Sequence, residues 1–139
     1  MTAEGSPTKR GIFLSIIAIL LAVLALSDFT KAFQNMNDST KGLVLVGIQT
    51  KTVAGNLVLG PIFGLVLAAY SYGLWKMRQW VLLLGIAYAF YVPTNLVLFW
   101  FLHVGARPSI RFIVAYLAIA LTGPVGTAIY LAYHHDRLV

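Results

Sequence analysis

Cysteine is missing from all 139 residues. That single absence excludes thiol nucleophiles, disulfide relays, Cys-ligated zinc and Cys-bound iron–sulfur clusters. It leaves the redox compartment open. Charge is also scarce. Asp, Glu, Lys and Arg make up 10% of the chain, against about 25% in an average soluble domain. None of them interrupts the four long apolar runs described below. Proton-coupled carriers place a titrating carboxylate at membrane depth, so this pattern counts against a four-helix exporter of that kind. It counts equally against an intramembrane protease, because paired aspartates, a metal motif and a base beside Ser15, Ser27 or Ser71 are all lacking. His103, His134 and His135 fall at the ends of runs. His103 is expected on the opposite face from the other two, so no shared metal or haem site is predicted and no cofactor is assigned. With no catalytic set in view, the sequence does not point to an enzyme.

What is present is apolar. Hydrophobic residues form 60% of the chain and its mean hydropathy is +0.85. Such a chain cannot coat a globule with polar groups, so the lipid bilayer is its expected solvent and first partner. The net charge is +6, carried by basic residues placed singly or in pairs. Lys9 and Arg10, Lys76 and Arg78, and Arg107 and Arg111 flank apolar runs, where long cationic side chains reach toward phosphate headgroups. No basic stripe with interleaved aromatics stands apart from these runs, so a nucleic-acid partner is not expected.

The runs cover residues 11–27, 53–75, 80–102 and 112–133. A helical span needs about 20 residues, with about 17 as a lower limit. Long runs without period-two alternation exclude a barrel, the other architecture that satisfies every backbone group in lipid. Short connectors imply antiparallel neighbours. The predicted fold class is an all-α membrane protein with four transmembrane helices in an antiparallel up-down bundle, one integral domain over 1–139. A signal peptide is the alternative for the first run, with Lys9 and Arg10 as its basic region and "ALS" (25–27) as its cleavage site. Residues 28–52 are assigned outside the hydrocarbon. Within them "GLVLVGIQTK" (42–51) is too short to span and rich in β-branched residues. It is read as interfacial or partly extended, with a helical extension of the second run as the alternative.

Basic residues split five against five between the two sides. Lys9 and Arg10 abut the first run and Lys76 and Arg78 fill a tight loop, where the positive-inside rule is strongest. Both termini are therefore expected on the cytoplasmic side. The pattern "YSYGLWKMRQW" followed by "YAFYVPTNLVLF" has the general look of small bacterial membrane proteins, which implies an inner (plasma) membrane. No named family, site or activity comes with it.

Small and polar residues recur inside the runs. Asn56, Gly60, Gly64 and Ala68 are spaced by four, and Tyr72 continues the series. Gly60 and Gly64 form a small-xxx-small face that allows close approach of two helices. Gly123 is expected to serve the same end in the fourth run. "NLVL" occurs at 56–59 and 95–98, which predicts that the amides of Asn56 and Asn95 meet across antiparallel neighbours. Tyr88, Tyr91 and Asn95 share one face of the third run. Tyr116, Ala120, Gly123, Thr127 and Tyr130 share one face of the fourth. The leading expectation is a small non-enzymatic membrane protein whose small-residue faces pack with itself, as a homo-oligomer, or with another membrane subunit. The alternative is a binder or transporter of a neutral lipid-like or quinone-like ligand, in a cavity lined by Asn56, Tyr88, Tyr91, Asn95 and Tyr116.

Overall fold

The computed structural model describes residues 11–38, 42–102 and 109–139. His103, Lys9, Arg10 and Arg107 lie outside them. The chain is mostly helical. In order it forms α1 (Ile12–Phe29), α2 (Lys31–Asn37), a hairpin of β1 (Val44–Leu45) and β2 (Ile48–Gln49), α3 (Val53–Trp75), α4 (Trp80–Leu102), α5 (Ile110–Ala120) and α6 (Gly126–Tyr133). A π-helical turn, Leu121–Val125, joins α5 to α6. Four segments are long and apolar enough to cross a membrane: α1, α3, α4 and the continuous stretch Ile110–Tyr133.

Local chemistry starts and stops these helices. The Thr52 hydroxyl accepts from the Gly55 amide at 3.2 Å, capping α3. The Ser109 hydroxyl accepts from the Phe112 amide at 3.4 Å, capping α5. Each cap satisfies one of the amides that an N-terminal turn leaves free. Past α3 the chain reverses through Met77, whose φ is +52°. The end of the chain docks on that reversal: the Val139 amide donates to the Met77 carbonyl at 2.7 Å, and the Gln79 amide donates to the Val139 carbonyl at 3.1 Å.

The closest helix pair is α1 with α3. Leu14, Ala18, Leu21 and Ala25 are buried along one face of α1. They pack in a single core with Leu67, Tyr70 and Leu74 of α3, and Ala68 lies against that core. The glycines permit the approach. A Cβ on Gly64 would stand 2.8 Å from the Phe29 ring and 3.1 Å from the Ala25 carbonyl oxygen, and one on Gly60 would strike the Asp28 carbonyl oxygen. The Ser71 hydroxyl donates to the Ala18 carbonyl at 2.6 Å, tying the two helices at mid-length. The small-residue stripe of α3 is thus used within the chain.

Three features depart from the sequence reading. First, α1 runs on to Phe29 and so includes Asp28. Second, 42–51 is extended, as one of the readings of the sequence had it, but goes further and closes as an antiparallel hairpin, Val44 opposite Gln49 and Leu45 opposite Ile48. Its turn places Val46 at φ +49° and Gly47 at φ +78°, the two positive values of a type I′ turn, whose twist matches the strands. Third, Gly123 makes no close helix contact within the chain: no described residue lies within 4 Å of a Cβ built there. It sits in the π turn instead. Pro124 has no amide to complete an α-helical bond, the turn widens, and the Gly126 amide reaches the Leu121 carbonyl five residues back. The Thr127 hydroxyl closes the gap by donating to the Gly123 carbonyl at 2.6 Å.

Replacing Gly64 by Leu forces four carbons into the α1–α3 contact. Overpacking of this kind costs about 1–3 kcal/mol. The melting temperature of Gly64→Leu in detergent should fall accordingly, and unchanged melting would contradict the contact.

Candidate functional site: an amide-clamped hairpin over a two-chamber cleft

The two asparagines do not meet each other. Each spends its hydrogen bonds on the hairpin. Asn56 is fully buried. Its Oδ1 accepts from the Leu43 amide at 2.9 Å, and its Nδ2 donates to the carbonyls of Thr50 at 3.0 Å and Thr52 at 2.9 Å. Leu43 and Thr50 close the base of the hairpin on each other as well, through a Thr50 amide to Leu43 carbonyl bond of 2.8 Å. Asn95 holds the other end. Its Oδ1 accepts from the Gly47 amide at 2.7 Å and its Nδ2 donates to the Val44 carbonyl at 3.2 Å. A Cβ on Gly47 would stand 2.7 Å from the backbone of Leu98, so only glycine lets the tip rest on α4.

The physical reason is the shortness of the strands. Two residues per strand leave backbone groups unpaired on the side facing the helices, and buried backbone polar groups must find partners. A primary amide offers a donor and an acceptor side by side, the same pair that another strand would present.

Beneath the hairpin is a cleft. The first and last spanning segments touch at the end far from the hairpin, where the rings of Phe13 and Tyr130 lie 5.8 Å apart. Nearer the hairpin, Leu20 and Leu24 of α1 and Tyr116 and Ile119 of α5 stand across an open gap. The upper chamber, about 470 Å³, is bounded by Val44 of the hairpin and by Tyr88, Tyr91, Asn95 and Tyr116. The lower chamber, about 280 Å³, is walled by Ile17, Leu21, Tyr70, Gly123 and Thr127. Leu24, Tyr88, Val92 and Tyr116 line both chambers, so they adjoin. Polarity falls from the hairpin downward.

Tyr88, Tyr91, Asn95 and Tyr116 therefore come together, and Asn56 does not join them. Sequence reading missed Tyr70. It is 2% exposed, packs edge-on against Tyr88 at 5.8 Å, and carries a hydroxyl with no hydrogen-bond partner among the described residues. Drawing the α3 stripe in steps of four led to Tyr72 instead. At about 100° per residue, Tyr72 lies roughly 160° round the helix from Asn56, and it is 55% exposed. Tyr70 lies only about 40° away. A seven-residue step through Asn56, Phe63 and Tyr70 carries the signal.

His134 and His135 take no part in the cleft. His134 stacks on Tyr130 at 4.2 Å, and His135 pairs with Asp136 at 2.8 Å. No group of three or more metal-ligating side chains occurs among the described residues. No protein-family model, curated protein or solved structure matches the chain.

The clamps make separable predictions. Asn56→Leu strands the Leu43 amide and the Thr50 carbonyl at the base of the hairpin, while the Thr52 carbonyl keeps the backbone amide of residue 56; each buried unpaired group costs about 1–3 kcal/mol. Its melting temperature should drop more than that of Asn95→Leu. Asn95→Leu should act locally, raising hydrogen exchange at the Gly47 amide while the amides of α1 and α3 stay protected. Slow exchange at Gly47 in that variant would contradict the clamp.

Proposed function

We propose that this chain is a non-enzymatic integral membrane protein that takes up an amphiphile from the bilayer. The cleft between α1, α4 and α5 is its binding site. One observation carries the reading: two adjoining chambers, graded from amide and phenol groups under the hairpin to aliphatic walls at depth. Ligand sites gather a few polar groups among apolar walls in this way. The polar part of the ligand fits the upper chamber and its apolar part the lower one. The exposed Leu20 and Ile119 at the lower chamber offer an entrance from the hydrocarbon. The unpartnered Tyr70 hydroxyl supports the same reading, because buried polar groups ordinarily have partners.

Self-association has less support. The face on which it rested, Gly60 and Gly64, is covered by α1 of the same chain. An up-and-down traverse of the membrane agrees with the residues that gather at the hairpin: Asp28 and Phe29 ending α1, Asn56 beginning α3, Asn95 and Leu98 late in α4, and Phe112 early in α5. Lys76 and Arg78 stand at the opposite end, beside the docked C-terminal residues. The positive-inside rule then favours cytoplasmic termini, with the hairpin on the outer face of a bacterial inner membrane.

Gly123→Leu tests the site. The added side chain enters open space in the lower chamber, so it removes volume without a clash. Native mass spectrometry of protein extracted in mild detergent should show an amphiphile retained by the parent chain and at least tenfold less in the variant, with melting of the protein preserved. Equal retention in a folded variant would overturn the assignment.

A further inference from the structure

Resting on that reading, we infer that the headgroup chamber selects a cationic head, of the quaternary ammonium class. Two features carry the inference. The first is the wall. Tyr88, Tyr91, Phe99, Trp100, Phe112 and Tyr116 line the upper chamber, and the rings of Phe112 and Tyr116 stand 6.1 Å apart with a 34° tilt. Aromatic faces attract cations through the ring quadrupole, and several rings around one space recognise methylated ammonium groups. Such a head carries no hydrogen-bond donor, which suits a space whose amide group, Asn95, is already committed to the hairpin.

The second feature is Asp28. Ile17, Leu20, Leu21 and Leu24 are the residues of α1 that line the cleft. Asp28 lies one helical turn beyond Leu24, on the same face. Its carboxylate is within electrostatic reach of Tyr88 and Tyr91, two of the chamber's rings. It has no hydrogen-bond partner among the described residues. Lys31 acts on it electrostatically, and the Lys31 ammonium also donates to Gln34 Oε1 at 3.5 Å. Among the described residues no Lys or Arg lines either chamber. Arg111, next to Phe112, is exposed and outside both. A carboxylate of low solvation gains from a cation placed among the rings. An anionic head meets the opposite condition.

The test uses the full chain in an uncharged polyoxyethylene detergent, titrated with three probes of one chain length and read by native mass spectrometry and thermal shift. Dodecyltrimethylammonium is the cation. The same chain ending in a tert-butyl group is its uncharged isostere. Dodecylphosphocholine carries the ammonium as a lipid headgroup does. The cation should bind at least tenfold tighter than the isostere. Asp28→Asn should remove most of that preference while leaving binding of the isostere unchanged, and Trp100→Leu should reduce it independently. Phosphocholine binding on a par with the simple cation assigns the source to a lipid headgroup, and its exclusion assigns it to a free cationic amphiphile. Both outcomes keep the inference. Equal affinity for cation and isostere overturns it and leaves the cleft assignment standing, whereas binding of no probe overturns both.

Discussion

Backbone amides that lie away from water must be paired, and a two-residue strand cannot pair all of its own. That constraint organises the hairpin end of this molecule. Asn56 and Asn95, from different helices, supply the missing partners at the base and the tip of one hairpin. The hairpin in turn fixes the separation of α3 and α4 at that end, because its length sets the distance between the two amides. It also keeps Val46, a β-branched residue at positive φ, in a conformation such residues seldom adopt. The bonds of Asn95 to Gly47 and Val44 around that turn offset the cost.

Close packing and open space divide along the same bundle. Where α1 meets α3, glycines and alanines let backbones approach until a single methyl group would clash. Where α1 faces α5, leucines and tyrosines stand apart and the π turn at Pro124 sets Gly123 back from its neighbours. The two halves depend on each other. A tight α1–α3 pair gives the rigid wall against which a cleft can persist, and the wide turn in the fourth segment leaves the volume unfilled. Asp28 belongs to both halves: its backbone lies against Gly60, and its carboxylate acts electrostatically on Tyr88 and Tyr91 of α4.

The helices were legible because hydropathy and span length carry them. Val53–Trp75 and Trp80–Leu102 are bounded by Thr52 and by the charged "KMRQ" reversal, both plain in the sequence. The hairpin was half legible: β-branched residues and Gly47 announced an extended segment, but nothing local says which helices hold it. The "NLVL" repeat pointed to the right residues with the wrong partner, since two amides at similar depth serve an intervening strand as well as they serve each other. Tyr70 was lost to a stripe that drifts by about 40° per four-residue step. Asp28 was lost because a helix end read from hydropathy stops at the first charge, whereas hydrogen bonding carried α1 two residues farther. Gly123 was read as a packing glycine, though the proline beside it marks a change of helical pitch.

The central claim is that the hairpin roofs a cleft occupied from the membrane. A crystal structure of the chain grown from a lipidic mesophase tests it most directly. The account predicts continuous elongated density that begins beneath Val44 and Asn95, passes Leu24 and Tyr88, and ends beside Gly123. Side chains of α1 and α5 meeting across that space, with the hairpin still seated on Asn56 and Asn95, would contradict it.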